Sequence, residues 1–446
     1  MKTIQEMLQE LSQCIVTVSG EFRFRTNWNG GKVPQPDLDT FDPNVPFCIE
    51  NVGDIKASVQ YNTKNTNIKI SKDYKTWNDY TSGTEIELNP KDRVYIKSDY
   101  VKDTGYNPRF KFSDNGARLR ARGNIASLIY GTDDAYVNKY TSTRDYSYYR
   151  MFNGCTSLTQ APELPAITLV SNCYCSMFSG CTSLTQAPEL SAIALSVSCY
   201  ESMFYGCTSL TQAPELPATT LAAYCYRNMF NGCTSLTQAP ELPAITLAKG
   251  CYDYMFTGCT GLTQAPELPA TKLNDSCYGS MFSGCTSLTQ APELPATKLN
   301  DSCYHSMFYG CTSLNQAPEL PATTLAYGCY YAMFQSCTSL TQAPELPSIT
   351  LANYCYNSMF RGCTGLTQAP ELPATTLADY CYNYMFYGCK KINYVKCLAT
   401  YASAADYTKF WLDGVATTGD FYAPASTNWT SGISGIPKGW TRHDIT

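Results

Sequence analysis

Four short segments between residues 47 and 130 alternate apolar with polar side chains. They read ASVQYN, NIKIS, TEIELN and RVYIKSD, and turn signals such as Asn89-Pro90 separate them. This alternation is typical of strands that bury one face, and short strands between turns favour an antiparallel sandwich. We therefore predict a small β-sandwich-like domain over residues 47–140.

The first 46 residues carry a different pattern. Ile4, Met7, Leu8 and Leu11 follow the spacing of one helical face, which predicts a short amphipathic helix. Gly, Pro and Asp cluster after Asn27, and this cluster predicts a linker. Because a helix this short is marginal by itself, we expect residues 1–46 to form an N-terminal helix and linker that anchor the chain.

One phrase then recurs from residue 147 to residue 391. The Met of each Met-Phe pair falls at 151, 177, 203, 229, 255, 281, 307, 333, 359 and 385, without an insertion or deletion. A fixed period of about 20 to 50 residues is the signature of a solenoid. We predict a repeat solenoid with a 26-residue period over residues 141–391, and a C-terminal cap over residues 392–446, where the period is lost.

The pattern of each copy predicts one short helix and one short strand. In the second copy Cys173, Tyr174, Met177, Phe178 and Cys181 share one face if the segment is helical, and this spacing predicts a short helix. The next segment, TQAPELPATTL in the typical copy, is too rich in proline for a long strand. The predicted fold class is an α/β repeat solenoid, whose copies bury their apolar faces only against one another.

Composition and charge narrow the possible functions. Charged residues make up 15% of the chain and the net charge is −5, so no general attraction to nucleic acid or to an anionic membrane is expected. No apolar stretch is long enough to span a bilayer, and Glu6 and Glu10 interrupt the place of a signal-peptide core. We expect a protein that works inside the cell or leaves it within a particle assembled there.

The chain has 23 Cys, and most of them follow the repeat. One set follows the Met-Phe pair and another precedes Tyr, each in steps of 26 residues. Free Cys packs as a small apolar group, and C-x7-C is not a zinc spacing. We predict stacked reduced thiols; some disulfides or a bound metal are the alternatives.

The sequence shows no pattern of an enzyme. It contains only two His, and it lacks a nucleophile elbow, an HExxH motif and a phosphate-binding loop. We therefore expect neither catalysis nor a cofactor nor a metal centre. Arg118, Arg120 and Arg122 would share one face of a strand, where an anionic ligand is conceivable but a solvated strand face is the simpler interpretation.

The copies can be compared with one another. QAPEL is identical in all nine full copies, whereas the two residues before Met-Phe and the one after it change. We interpret constant positions as packed and variable ones as facing solvent. The candidate recognition surface comprises Tyr205, Arg227, Asn231, Tyr254, His305, Tyr309, Tyr331, Arg361, Tyr384 and Tyr387. The alternatives are a solvated face without function, or recognition through the QAPEL segment. The Glu residues of QAPEL, from Glu163 to Glu371, would form an acidic column that either binds cations or is a solvated edge.

The phrase MFxGCTSLTQAPELP resembles the BspA-like, Treponema-type leucine-rich repeat. Segments on both sides of the array, such as RGNIASLIYG and GIPKGW, resemble those that flank such arrays in proteins of gut Bacteroidales and their phages. The resemblance implies a leucine-rich repeat solenoid. It also implies a surface protein that binds host matrix, other bacteria or glycans without catalysis.

The expected absence of an export signal, taken with this resemblance, favours a phage virion. We expect a fibre or a head or tail decoration, assembled in the host cytoplasm and displayed on the virion surface. Its N-terminal region would contact virion structural proteins, and its repeats would contact a bacterial surface protein or glycan. A bacterial cell-surface adhesin and a purely structural virion component are the alternatives. Assembly into a homo-oligomer is compatible with each of them.

Overall fold

The alternating segments near the start of the chain form two β-sheets. The structure is a computed structural model that describes residues 45–64, 67–98, 108–130, 145–400 and 406–445. The predicted N-terminal helix lies outside the described residues. The strands of the first part are β1 Phe47–Asn51, β2 Ala57–Asn62, β3 Ile68–Ser71, β4 Asn78–Tyr80, β5 Glu85–Leu88, β6 Arg93–Ser98, β7 Arg109–Phe112 and β8 Leu119–Arg122.

The two sheets pack against each other. One has the order β4-β3-β6-β1-β8 and the other the order β5-β2-β7, with antiparallel neighbours throughout. Phe110 of β7 lies between the sheets, with its ring 5.2 Å from Phe47 of β1 and 4.7 Å from Tyr61 of β2. The alternation in the sequence thus places the apolar side chains of both sheets in one core.

The repeat array contains almost no regular helix or strand. The one helix that the structure describes is α1, Ser127–Tyr130, which precedes the array. Among the described residues of the array the only strand is β9, Leu158–Gln160, and it extends the first sheet by pairing parallel with β8. The prediction of one helix per copy, and with it the α/β character of the fold, is therefore wrong for the described residues.

Left-handed residues explain why the helix does not form. In the second copy Asn172, Ser176 and Gly180 have φ of 57°, 54° and 75°. A residue in this conformation ends a helix. Because every fourth residue is left-handed, the segment forms a series of single turns instead of a helix. A four-residue spacing is close to the 3.6-residue period of a helix, so the apolar positions imitate a helical face without forming one.

The backbone hydrogen bonds show how these turns are held. Cys175 and Met177 donate to the residue three positions earlier, within the same copy. The amides of Tyr174 and Phe178, which alternate with them, donate instead to Cys199 and Met203 of the next copy. Half of the amides thus close turns and half join neighbouring copies, so a copy cannot satisfy its backbone alone.

Columns of identical side chains fill the interior. Phe230, Phe256 and Phe282 are fully buried and stack with ring centroids 5.6–5.7 Å apart and planes within 6° of parallel. A second column joins the tyrosines of successive copies, such as Tyr226 and Tyr252 at 5.9 Å. Each ring covers the next, so the array stabilises itself through neighbours.

Both ends of this core are covered. At the first copy, Phe110 of β7 stacks on Phe152 at 5.1 Å, so the β-sheets continue the ring column. After the last copy, Trp411 stacks on Tyr382 and on Trp429, and both indoles are buried. A parallel sheet closes this end, with β10 Tyr394–Lys396, β11 Gly419–Pro424 and β12 Trp440–Ile445.

Candidate recognition surface

The ten predicted recognition residues lie on one outer strip of the array. We call this the MF strip: the two residues before each Met-Phe pair and the one after it. Its copies are adjacent in space because their backbones are hydrogen-bonded, as from Ser202 to Arg227 and from Gly206 to Asn231. Tyr205, Tyr309 and Tyr331 are exposed, at 41–47%. The other seven predicted residues are partly buried: Arg227, Asn231, Tyr254, His305, Arg361, Tyr384 and Tyr387.

The expectation that variable positions simply face solvent is therefore only partly right. The residue immediately before Met-Phe is left-handed in every copy, including Ser202, Tyr254 and Tyr384 with φ of 53–57°. Most copies have Ser or Asn at this position, and a bulky side chain there costs free energy. These positions thus vary within a backbone constraint, which the sequence comparison did not reveal.

A charged cluster crosses the middle of the MF strip. Arg227 lies 3.6 Å from Glu201 and 3.3 Å from Asp253, whose side chain is buried. Burial raises the pKa of Asp253 to about 7, although the nearby Arg227 guanidinium opposes this rise. Arg227 is therefore neutralised by two carboxylates within the strip.

Gly279 makes room for a histidine beside this cluster. A Cβ atom added at Gly279 would lie 2.1 Å from Cε1 of His305 and 2.6 Å from Oδ1 of Asp253. His305 Nδ1 lies 2.8 Å from the Ser302 carbonyl oxygen and donates to it, and burial lowers the pKa of the imidazole. The missing side chain at Gly279 thus leaves the space that the His305 ring and the Asp253 carboxyl group occupy.

Aromatic residues are concentrated near the C-terminal end of the array. The Arg361 guanidinium lies 5.4 Å from the centroid of Tyr384 and 5.1 Å from that of Tyr387. A second group, which the sequence analysis missed, stacks Tyr354 on Tyr380 at 4.6 Å, with Tyr327 5.3 Å from Tyr354. The recurrence of Tyr just before Cys-Tyr in the last two copies was the signal that could have identified this group.

The QAPEL segments form a second outer strip. Their Leu residues are buried, as at Leu190, but every Gln and Glu of QAPEL is exposed. The interpretation that constant positions pack is wrong for these two residues. Stacked copies place equal backbones above one another, as the parallel bridges from Gln186 to Gln212 and Gln238 show, so constant residues can also lie at the surface.

The acidic column of this strip has a cation at each end. Glu371 pairs with Lys396 at 2.9 Å. At the other end burial and Glu189 raise the pKa of Glu163, and Arg122 opposes this rise. Surface grooves of about 480–550 Å³ follow the strip, one of them between Glu293 and Glu319. No group of three or more metal-binding side chains occurs among the described residues.

A third set of exposed side chains lies just beyond QAPEL. The residue after Pro-Ala is Ile or Thr in each copy; two copies have Ser in place of the Pro or the Ala. The four Ile at this position are 48–70% exposed: Ile167, Ile193, Ile245 and Ile349. These positions carry only β-branched side chains, which suit extended backbone. The sequence analysis did not single them out.

The arginines of β8 do not form a free anion site. Arg120 contacts Glu50, and Arg93 approaches the same carboxylate at 3.2 Å. Glu50 is buried, so the two guanidinium groups neutralise it inside the first sheet. Arg122 reaches Gln160 of the first copy. Arg120 is thus occupied in joining strands rather than in presenting positive charge.

The cysteines of the described residues are free thiols inside the core. All of them are buried, and the thiol of the residue after Met-Phe-x-Gly donates to a carbonyl of the preceding copy, as from Cys311 to Phe282 at 3.1 Å. Burial raises the pKa of Cys311 to about 12.

No helix of the described chain has the length and apolarity needed to cross a membrane.

Comparison with known proteins identifies the repeat. The family model described as the BspA-type leucine-rich repeat region matches overlapping segments from residue 141 to residue 408, more than half of the chain. Among solved structures, a leucine-rich repeat protein from Bacteroides ovatus ATCC 8483 aligns with a TM-score of 0.38 and 18% identity, over 66% of this chain and 76% of that one. No curated protein sequence matches. The chain belongs to the BspA-type leucine-rich repeat family.

Proposed function

We propose that this protein is a non-enzymatic attachment protein whose MF strip binds a bacterial surface protein or glycan. In this proposal one coil of the solenoid is 26 residues long, a length that the bridges from Gln186 to Gln212 and Gln238 support. The observation that carries the proposal is the arrangement of the strip: a stacked core presents exposed Tyr205, Tyr309 and Tyr331 on hydrogen-bonded neighbouring copies.

The chemistry of the strip suits recognition. Tyrosine offers a large contact area with little conformational entropy to lose, and Asn and Ser add adaptable hydrogen bonds. The strip also accepts a backbone cost, since Tyr254 and Tyr384 are left-handed where Ser stands in several other copies. Strain of this kind is often retained at functional sites.

A triple substitution tests this proposal. Tyr205, Tyr309 and Tyr387 are replaced by Ala in the full-length protein, and binding of the labelled protein to intact cells of several gut Bacteroidales and to mucin is measured. We expect at least a tenfold loss of binding, because aromatic anchors dominate such surfaces. Unchanged binding would exclude recognition through the MF strip.

The array supplies a matched control on another surface. Ile167, Ile245 and Ile349 are exposed, and Thr occupies the same position in other copies, as at Thr219 and Thr271. Replacing the three Ile by Thr changes three exposed apolar side chains outside the MF strip without disturbing the core. Binding by this control should match that of the unchanged protein.

The location on a virion surface stays a prediction. It rests on the resemblance of the flanking segments to those in proteins of gut Bacteroidales and their phages. The alternative location, on a bacterial cell, is compatible with the same resemblance and the same family. Immunogold electron microscopy with antibodies to the full-length protein distinguishes the two locations. Labelling of particles would support the virion proposal, and labelling of cells alone would support a bacterial adhesin.

Attachment to a particle would depend on residues 1–46 in the virion proposal. If this anchoring idea is right, a chain without these residues should fail to enter particles while still folding. Normal incorporation of the shortened chain would contradict an N-terminal anchor. In either location the protein acts through partners rather than through a reaction.

A further inference from the structure

We propose that Arg361, Tyr384 and Tyr387 form a site for an acidic sugar, in which the guanidinium binds the carboxylate or sulfate group and the rings contact the sugar ring. This inference rests on the proposed function and assigns it a ligand chemistry. It concerns one place on the MF strip, at the ninth and tenth Met-Phe pairs.

Arg361 lies near two rings and has no counter-charge among the described residues. Its guanidinium lies 5.4 Å and 5.1 Å from the centroids of Tyr384 and Tyr387, and it pairs with no carboxylate among the described residues. Arg227 on the same strip approaches Tyr224 but is neutralised by Glu201 and Asp253. A guanidinium that lies against aromatic rings keeps its N–H donors, which match the two oxygens of a carboxylate or sulfate.

The rings around Arg361 are arranged as a small platform. Tyr384 stacks on Phe410 of the cap at 5.2 Å and meets Tyr387 edge to face at 5.9 Å. Phe410, Tyr384 and Tyr387 are all partly exposed. An apolar surface beside a cation suits a sugar, whose C–H face contacts rings while its acidic group pairs with the cation.

The backbone at Tyr384 supports a functional role for this residue. Tyr384 has φ of 53°, a conformation that bulky residues rarely adopt. The residue at the same place is Ser in the second, third, sixth, seventh and ninth copies, as at Ser358, so the fold does not need the ring. The ring of Tyr384 packs on Phe410 on one side and stays partly exposed, so it remains available to a ligand.

Binding to defined oligosaccharides tests the proposal. The probes are hexasaccharides of hyaluronan, which carries carboxylates, of chondroitin 4-sulfate, which carries carboxylates and sulfates, and of neutral cellulose. Titration calorimetry with the full-length protein should show binding of one or both acidic probes and at least tenfold weaker binding of the neutral one. Binding of hyaluronan would assign the carboxylate, and binding of chondroitin 4-sulfate alone would assign the sulfate.

Single substitutions locate the site. Arg361→Gln should weaken binding of the acidic probe at least tenfold, and Tyr384→Ser should weaken it while leaving the folded state intact. Arg150→Gln is the matched control, because Arg150 is exposed and lies beside the ring of Tyr149, away from Tyr384 and Tyr387. An equal loss in both arginine variants, or no binding of either acidic probe, would overturn the proposal.

The same variants separate this inference from the proposed function. If the unchanged protein attaches to cells or mucin but binds neither acidic probe, the acidic-sugar site is wrong and attachment through the strip survives. If the unchanged protein attaches to no cell or mucin while Arg361→Gln loses hexasaccharide binding, the site stands and the proposed attachment is wrong.

Discussion

Replacing Phe256 by Ala should destabilise the centre of the array strongly. Phe256 is fully buried, with Phe230 at 5.6 Å on one side and Phe282 at 5.7 Å on the other. Truncating a buried Phe to Ala costs about 3–5 kcal/mol, and each stacked pair is worth about 0.5–1.5 kcal/mol beyond its buried area. Because two stacked pairs are lost, we expect a cost near the upper limit, about 4–5 kcal/mol.

The assay must allow for unfolding that is not two-state. Repeat arrays unfold in sections, so urea unfolding is followed by circular dichroism together with hydrogen exchange of the amides in the neighbouring copies. The Phe256 amide still donates to the Met281 carbonyl in the variant, since that bond uses only backbone. We therefore expect faster exchange around the cavity rather than loss of the whole ladder.

An exposed residue of another copy of the repeat provides the control. Tyr309 is 41% exposed, and Tyr309→Ala should change stability by no more than about 0.5 kcal/mol. A cost below about 1 kcal/mol for Phe256→Ala, with unchanged exchange, would refute the stacked column as the source of stability.

Two further predictions concern titratable groups in the array. Burial raises the pKa of Asp253 from 3.8 to about 7. Between these pH values the folded chain binds more protons than the unfolded chain, so stability should fall as pH rises through that window. Asp253→Asn should remove this pH dependence from urea midpoints measured between pH 4 and pH 8. Burial raises the pKa of Cys311 to about 12, so a thiol reagent at pH 8 should modify it only after unfolding, and rapid modification of native protein would contradict the buried position.

The sequence predicted the stacking of the copies but not the path of the backbone. Equal spacing of Met, Phe and Cys requires equal neighbours, and this reasoning correctly placed Phe178 and Cys181 in a common core. The helix was wrong because left-handed residues such as Ser176 recur every four positions. The Gly, Ser and Asn at these places carried a signal for that conformation.

The candidate surface was predicted only in part, for a related reason. Whether a residue is exposed depends on its neighbours in the adjacent copies, which single positions do not reveal. The exposed constant residues of QAPEL look in sequence like packed ones, as Glu189 beside Leu190 illustrates. The pairing of Arg227 and the ring contacts of Arg361 likewise depend on side-chain directions across copies.

Hydroxyl-radical footprinting of the full-length protein bound to intact cells tests the central claim most directly. Mass spectrometry reports, in one measurement, the oxidation of exposed side chains on the MF strip and at the Ile positions beyond QAPEL. Recognition through the MF strip predicts protection of Tyr205, Tyr309 and Tyr331, while Ile193 and Ile349 oxidise as in the free protein. Protection of the two Ile, with the three Tyr oxidised as before, would contradict recognition through the MF strip.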